Sequence, residues 1–294
     1  MNTWRLRLSP RAPWATPLRA DSLFGFICWR WLELFPETFE SMLDEFHEGD
    51  QPPFVLSDAF PGDLMPLPMH ATFPQSGKKL KPPLYLPDVS FRSLMRGETE
   101  VPKPIENAIN SSSRVRTAID RERGSAAEGQ LFETDVQHLN EQFDTASVYI
   151  RSDRYMKEIL ACFHALALTG FGKKSSSGLG AFHIGGPPER CDWLDDVPSP
   201  NAFTVLSHFV PASNDPTLGV WRTHVTYPKF HANAVSNVFK GSVLMLTPGS
   251  VFHTERPPKP WCGSMIPMPR AEMPKAIHYA LGFSVPLVWP LEAA

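Results

Sequence analysis

Residues 170–180 read Gly-Phe-Gly-Lys-Lys-Ser-Ser-Ser-Gly-Leu-Gly, four glycines and three serines around two lysines. Gly170, Gly172, Gly178 and Gly180 allow tight turns and close approach of backbone to a ligand. Backbone amides, the hydroxyls of Ser175, Ser176 and Ser177, and the ammonium groups of Lys173 and Lys174 together suit a polyanionic chain. A second basic group lies upstream, where Arg114, Arg116, Arg121 and Arg123 fall within ten residues. Guanidinium groups fork onto phosphates and stack on unpaired bases. Arg19 is a further, isolated candidate. Plainer readings stand beside these. The glycine-rich run also fits a flexible helix end with solubilising lysines, and Asp120 and Glu122 also fit as ion-pair partners of their arginine neighbours.

Nucleotide-binding motifs do not fit. Gly172-Lys173 is followed by Lys174 instead of Ser or Thr, and Ala167 stands where a phosphate-binding loop needs its first glycine. Ser175 replaces the third glycine of a dinucleotide fingerprint, and the run closes a helix instead of opening one. No cofactor is therefore expected. Cys28, Cys162, Cys191 and Cys262 are scattered without zinc spacing, and the ten histidines show no ligand-spaced helical pair, so no metal is expected. The Ser76-Gly77-Lys78-Lys79 match to Ser-x-x-Lys lacks its companion motifs, and no Gly-x-Ser-x-Gly elbow exists.

These residues need elements to position them. The chain has 294 residues, enough for about two domains. Its net charge of −3 excludes a uniformly cationic coat but not local basic patches. No apolar run approaches the ~20 residues that span a bilayer, and the first 20 residues lack a signal-peptide core, so a cytosolic chain without membrane contact is expected. Alternation over residues 3–8 predicts an edge-type strand. Asp21 reads as the cap of a helix through Leu23, Ile27, Trp31 and Phe35, stopped by Pro36, and a second helix runs to Gly49. Residues 33–63 carry nine acids and no Lys or Arg, a solvated face or a partner-binding surface. Residues 78–123 reverse the balance and are proline-broken, which reads as an extended basic excursion. A strand over 145–150 leads to a helix beginning at Asp153, then the glycine-rich run and a strand over 181–184. After the Gly185-Gly186-Pro187-Pro188 hinge the chain is strand-like and proline-punctuated, with 257–269 as an irregular insertion. The fold class is α+β: a ferredoxin-like, RRM-type βαββαβ domain over 1–186 with a basic hairpin insertion around 76–132, and a degenerate strand-rich RRM-like domain over 187–294.

The run Gly170 to Phe182 resembles the glycine-rich loop of the RAMP superfamily, the RNA-binding subunits of CRISPR effector complexes. Other segments are similar, in order, to the fourth subunits of type III-A (Csm) complexes: Ala20-Asp21-Ser22-Leu23-Phe24-Gly25, Ser57-Asp58-Ala59-Phe60-Pro61, Tyr85-Leu86-Pro87 with Phe91-Arg92-Ser93-Leu94, and Ile119-Asp120-Arg121 with Gly129-Gln130-Leu131-Phe132. Pro248-Gly249-Ser250-Val251-Phe252 and His278-Tyr279-Ala280-Leu281-Gly282-Phe283 resemble the closing strands, although Ala280 replaces the glycine that more often follows the tyrosine. The resemblance implies a non-catalytic subunit of an antiviral ribonucleoprotein. Such a subunit grips the 5′ handle of the guide RNA (crRNA), anchors the large polymerase-like subunit and the adjacent backbone RAMP subunit, and meets target RNA only indirectly. It also implies phosphate contacts for the loop residues and a basic hairpin position for Arg121; Arg114, Arg116 and Arg123 are added on their chemistry alone. Two alternatives remain. One is a RAMP-type endoribonuclease that processes repeat RNA, although about 110 residues follow the loop here and no histidine lies between the first strand and helix. The other is a scaffold that touches protein only.

Overall fold

A computed structural model describes residues 1–73, 80–98, 100–120, 122–123, 125–230 and 238–290. In chain order the elements are β1 (Thr3–Pro10), α1 (Ala20–Leu34), α2 (Pro36–Glu48), β2 (Val55–Pro61), β3 (Leu64–Pro66), β4 (Tyr85–Pro87), α3 (Asp88–Met95), β5 (Ile109–Asp120), β6 (Ser125–Leu139), β7 (Ala146–Arg151) and α4 (Met156–Thr169). They continue with β8 (Phe182–Ile184), β9 (Glu189–Arg190), β10 (Ala202–Val205), β11 (Gly219–Val220), β12 (Thr223–Thr226), β13 (Val243–Leu246), β14 (Val251–His253), β15 (Trp261–Gly263), β16 (Ile266–Pro267), β17 (Ile277–His278) and β18 (Leu281–Leu287).

Three layers result: helices, a first sheet, and a second sheet behind it. The first sheet is antiparallel in the order β2-β7-β1-β8, with β9 also on β1. β1 is thus an interior strand, not the edge strand its short alternation suggests. Leu6 sits opposite Val148, and this pair joins Leu8, Leu56 and Ile150 in facing Leu23, Ile27 and Trp31 of α1 and Ile159, Phe163 and Leu166 of α4. Each such fully buried side chain contributes about 1.5–3 kcal/mol. β7 is buried along its whole length. Its other face turns Tyr149 toward Val251, Phe283, Val285 and Leu287 of the second sheet, whose order is β11-β14-β10-β18-β15.

A buried arginine ties the two sheets. Arg151 gives hydrogen bonds to Thr3 Oγ1, the carbonyls of Pro260 and Ser284, and Asp195, and its guanidinium lies 4.1 Å from the centre of the Phe283 ring. A charge taken out of water this completely is tolerated only when its donors are satisfied. Tyr279 adds a second tie, its hydroxyl accepting the Leu56 N–H at 2.8 Å.

Several local expectations change. The first residue of α1, Ala20, is served by Asp58 of β2, whose Oδ1 accepts the Ala20 N–H at 2.9 Å. Asp21 instead accepts the Ser22 N–H and faces His278 at 4.0 Å, so it does not cap the helix. The basic, proline-broken stretch contains β4, which pairs with the earlier β3, then the helix α3 and the first strand of a long ribbon, β5-β6. The expected irregular insertion at 257–269 contains β15, which pairs with β18 and buries Cys262. No helix among the described residues is long and apolar enough to cross a membrane.

Candidate nucleic-acid interface

The glycine-rich loop has a closed neck and an open tip. At the neck, the Gly170 N–H bonds the Leu166 carbonyl and ends α4, and the Phe171 N–H bonds the Gly180 carbonyl at 2.9 Å. Phe171 is buried against the ring of Phe26 in α1. Gly180 is required here: a Cβ would lie 1.9 Å from the Phe171 carbonyl oxygen, and φ is +69°. Gly172 is equally confined, with a Cβ position 2.6 Å from Thr16. At the tip Lys174 takes a left-handed conformation with φ 64°, and Ser175, Ser176 and Ser177 form one tight helical turn. Lys173, Lys174, Ser176, Ser177 and Gly178 are exposed and Ser175 is half-buried. No carboxylate among the described residues pairs with either lysine.

The ribbon β5-β6 projects its own basic face. Directly opposed residues of an antiparallel pair share a side. Arg114 lies opposite Thr134 and Arg116 opposite Phe132, so both guanidiniums stand on one face with an exposed aromatic ring. Arg123 is exposed at the turn, about ten strand residues or roughly 30 Å from the ribbon's base. Arg121 lies outside the described residues.

Residues 11–19, which follow β1, carry both features. The Arg11 and Ala12 N–H groups bond the Ala181 carbonyl, and the Pro13 carbonyl accepts the Gly180 N–H at 2.8 Å. Thr16 Oγ1 accepts the Lys173 N–H at 2.9 Å. Between them Trp14 exchanges two backbone hydrogen bonds with Gln137 of β6 and buries its ring at the ribbon's base. The loop and the ribbon therefore share one mount. Trp14, Thr16 and Gln137 are not legible as site residues, the signal near the first two being only a proline-rich turn after the first strand; Phe132 falls in the Gly129-Gln130-Leu131-Phe132 segment of the resemblance but is not marked there as a contact residue.

Below this mount opens a cleft of about 610 Å³, lined among others by Trp14, Arg19, Asp58, Lys103, Leu139 and His208. Arg19 is held in place, not free: its Nη1 donates to His224 Nε2 at 2.7 Å. Burial, with Arg19 and His208 nearby, holds the His224 imidazole below its usual range, which keeps that nitrogen available as an acceptor. Asp58 Oδ2 accepts from His208 Nδ1 at 2.6 Å while its Oδ1 serves α1. Among the described residues no cluster of His, Cys, Asp or Glu has a metal-binding arrangement. The structure thus brings together the loop, the ribbon base and Arg19; it leaves Arg123 at the far end of the ribbon.

No protein-family model and no curated protein sequence matches the chain. Solved structures do. A chain of the Csm1-Csm4 cassette in complex with AMPPNP superposes with a TM-score of 0.61 at 17% identity, covering 98% of this chain and 99% of that one. The cassette in complex with pppApA gives 0.61 at 16%, over 99% and 100% of the two chains. A chain of the Csm3-Csm4 subcomplex in the type III-A CRISPR-Cas interference complex gives 0.56 at 13%, over 97% and 99%. Csm4 is the component those assemblies have in common. From end to end, the chain has the mixed α/β fold of a subunit found in these type III-A CRISPR assemblies.

Proposed function

We propose that this chain is the non-catalytic subunit of a type III CRISPR effector complex that holds the 5′ handle of the guide RNA. In this reading Lys173, Lys174 and Ser175 to Ser177 take handle phosphates, with Gly178 leaving room for backbone approach. Gly170, Gly172 and Gly180 shape the neck. Arg114, Arg116 and Phe132 lie along the next nucleotides, and Arg121 and Arg123 extend that basic track. Arg19 meets the RNA from the cleft. The chain also anchors the large polymerase-like subunit and the first backbone subunit, and touches target RNA only through them. A ferredoxin-like, RRM-type organisation of the first half is part of this proposal; the strand order β2-β7-β1-β8 with α1 and α4 on one face supports it.

One observation carries the reading: two cation-bearing features of different architecture hang on the same nine-residue mount, residues 11–19. Exchanging Lys173 and Lys174 for Glu is the test. The doubly reversed protein should bind guide RNA more weakly and with a shallower salt dependence, because phosphate contacts release counterions. Unchanged assembly with guide RNA at all salt concentrations overturns the assignment.

The endoribonuclease reading is favoured by the Asp58–His208 pair beside the cleft. Asp58, however, also receives the Ala20 N–H and donates its own N–H to the Leu206 carbonyl, which accounts for it as a tie between the two halves. Incubated alone with repeat RNA, the chain is expected to leave it intact; clean cleavage would establish the rival.

A further inference from the structure

The two long charge-biased stretches of this chain have opposite fates. Of the nine acids in 33–63, six are paired internally: Glu33 with Arg30, Glu40 and Asp44 with Lys275, Glu45 with Arg154, Asp58 with His208, and Asp63 with Arg5. Most of the acids in this stretch, which reads as a solvated face or a partner-binding surface, are therefore engaged within the chain itself. Residues 216–254 are the reverse case, with three Lys or Arg and no acid in 39 residues. Half of the large hydrophobic side chains exposed among the described residues, seven of fourteen, fall there.

They are arranged as a surface. Val225 and Leu244 are directly opposed on β12 and β13 and are 43% and 60% exposed, while the residues alternating with them turn inward. This ribbon has no other strand on either side among the described residues, and a two-stranded ribbon is marginal by itself. Trp221, 45% exposed, stacks at 5.7 Å on Phe252, which stacks in turn on Phe203 of the core. Its ring is thus held rigid before any partner arrives, a property of interface anchors. Arg222 and Lys229 stand exposed at the margin.

We infer that the face built by Trp221, Val225, Tyr227 and Leu244, rimmed by Arg222 and Lys229, is a protein-docking surface for a carboxylate-bearing apolar patch on the large subunit. The inference rests on the proposed function for the identity of that partner. At the centre of this face the opposed pair Val225 and Leu244 offers nucleic-acid bases no stacking plane, which favours protein, and exposed cations in a stretch that has no Asp or Glu favour an acidic counterpart.

The experiment measures binding of the purified full-length chain to the purified large subunit from the same locus, without RNA. Val225→Glu with Leu244→Glu should raise Kd at least about tenfold, as removal of a central apolar anchor does. Guide-RNA binding and the thermal midpoint should stay unchanged. If that variant melts early, Lys229→Glu serves instead, with weaker binding and a reduced salt dependence expected. Unchanged affinity overturns the inference, as does a loss that falls on RNA or on the backbone subunit. Wild-type protein that binds the large subunit while the variants bind equally well refutes this surface alone. Wild-type protein that fails to bind it refutes the anchoring role as well.

Discussion

The loop at 170–180 and the ribbon β5-β6 are both basic, yet they are built on opposite plans. The loop is seated in the body: Phe171 is buried, Gly172 and Gly180 press against backbone and Thr16, and only its tip is wet. The ribbon has two strands, and on it Val115, Leu131 and Phe132 all stand in solvent. Few buried contacts mean low local stability. The difference teaches that the loop works by fixed geometry and the ribbon by reach, so each should fail in its own way when altered.

The largest effect belongs to the neck. Gly180→Val places a side chain into the Phe171 carbonyl at positive φ and should cost about 3 kcal/mol or more, read as a fall in thermal midpoint. A midpoint within a degree of wild type would show that the loop is as compliant as the ribbon. Next comes the tip. Charge reversal at Lys173 and Lys174 should leave the midpoint alone but lower the salt slope of RNA binding by about 0.7 for each phosphate that is no longer neutralised. On the ribbon, Arg116→Ala with Phe132→Ala should weaken RNA binding by about 1–3 kcal/mol with no change in midpoint, as loss of a stacked base does. Limited proteolysis should cut the ribbon first, and RNA should protect it; early cutting in the loop instead would invert the comparison.

Acidification probes the body alone. Burial lowers the His278 imidazole to about 4, as it does that of His70. The unfolded chain takes up these protons first as pH falls below about 6.5. Stability is therefore fully present above about 6.5, declines toward pH 4 and levels off below it, at about 1.4 kcal/mol per unit for each group. Chemical denaturation at a series of pH values checks this, and His278→Leu should flatten part of the slope. The smallest effect is expected at the tip's own glycine: nothing lies within 4 Å of a Cβ at Gly178, so Gly178→Ala should cost only about 1 kcal/mol, the penalty of its positive φ.

What the sequence revealed follows from range. Helices α1, α2 and α4 were legible because their apolar spacing is local, and β1 because its alternation is; β7 also read as a strand, although it is buried at every position. The loop stood out by composition. By contrast β15 has two relevant residues, Trp261 and Cys262, whose strand character exists only through pairing with β18 some twenty residues on. The helix cap supplied by Asp58 comes from 38 residues away, while the nearer Asp21 carried the local signature. The mount at 11–19 was least visible of all, since its hydrogen bonds reach Gln137, Lys173, Gly180 and Ala181, and prolines locally announce only a turn.

Arg151 has a consequence beyond stability. Its guanidinium begins on the sheet that carries the loop and ends on carbonyls and a ring belonging to the sheet that carries Trp221. Pulling those sheets apart would strand a dehydrated cation, so they cannot slide or hinge independently. The molecule acts as a gauge block, setting a constant offset between whatever rests on one end and whatever leans on the other.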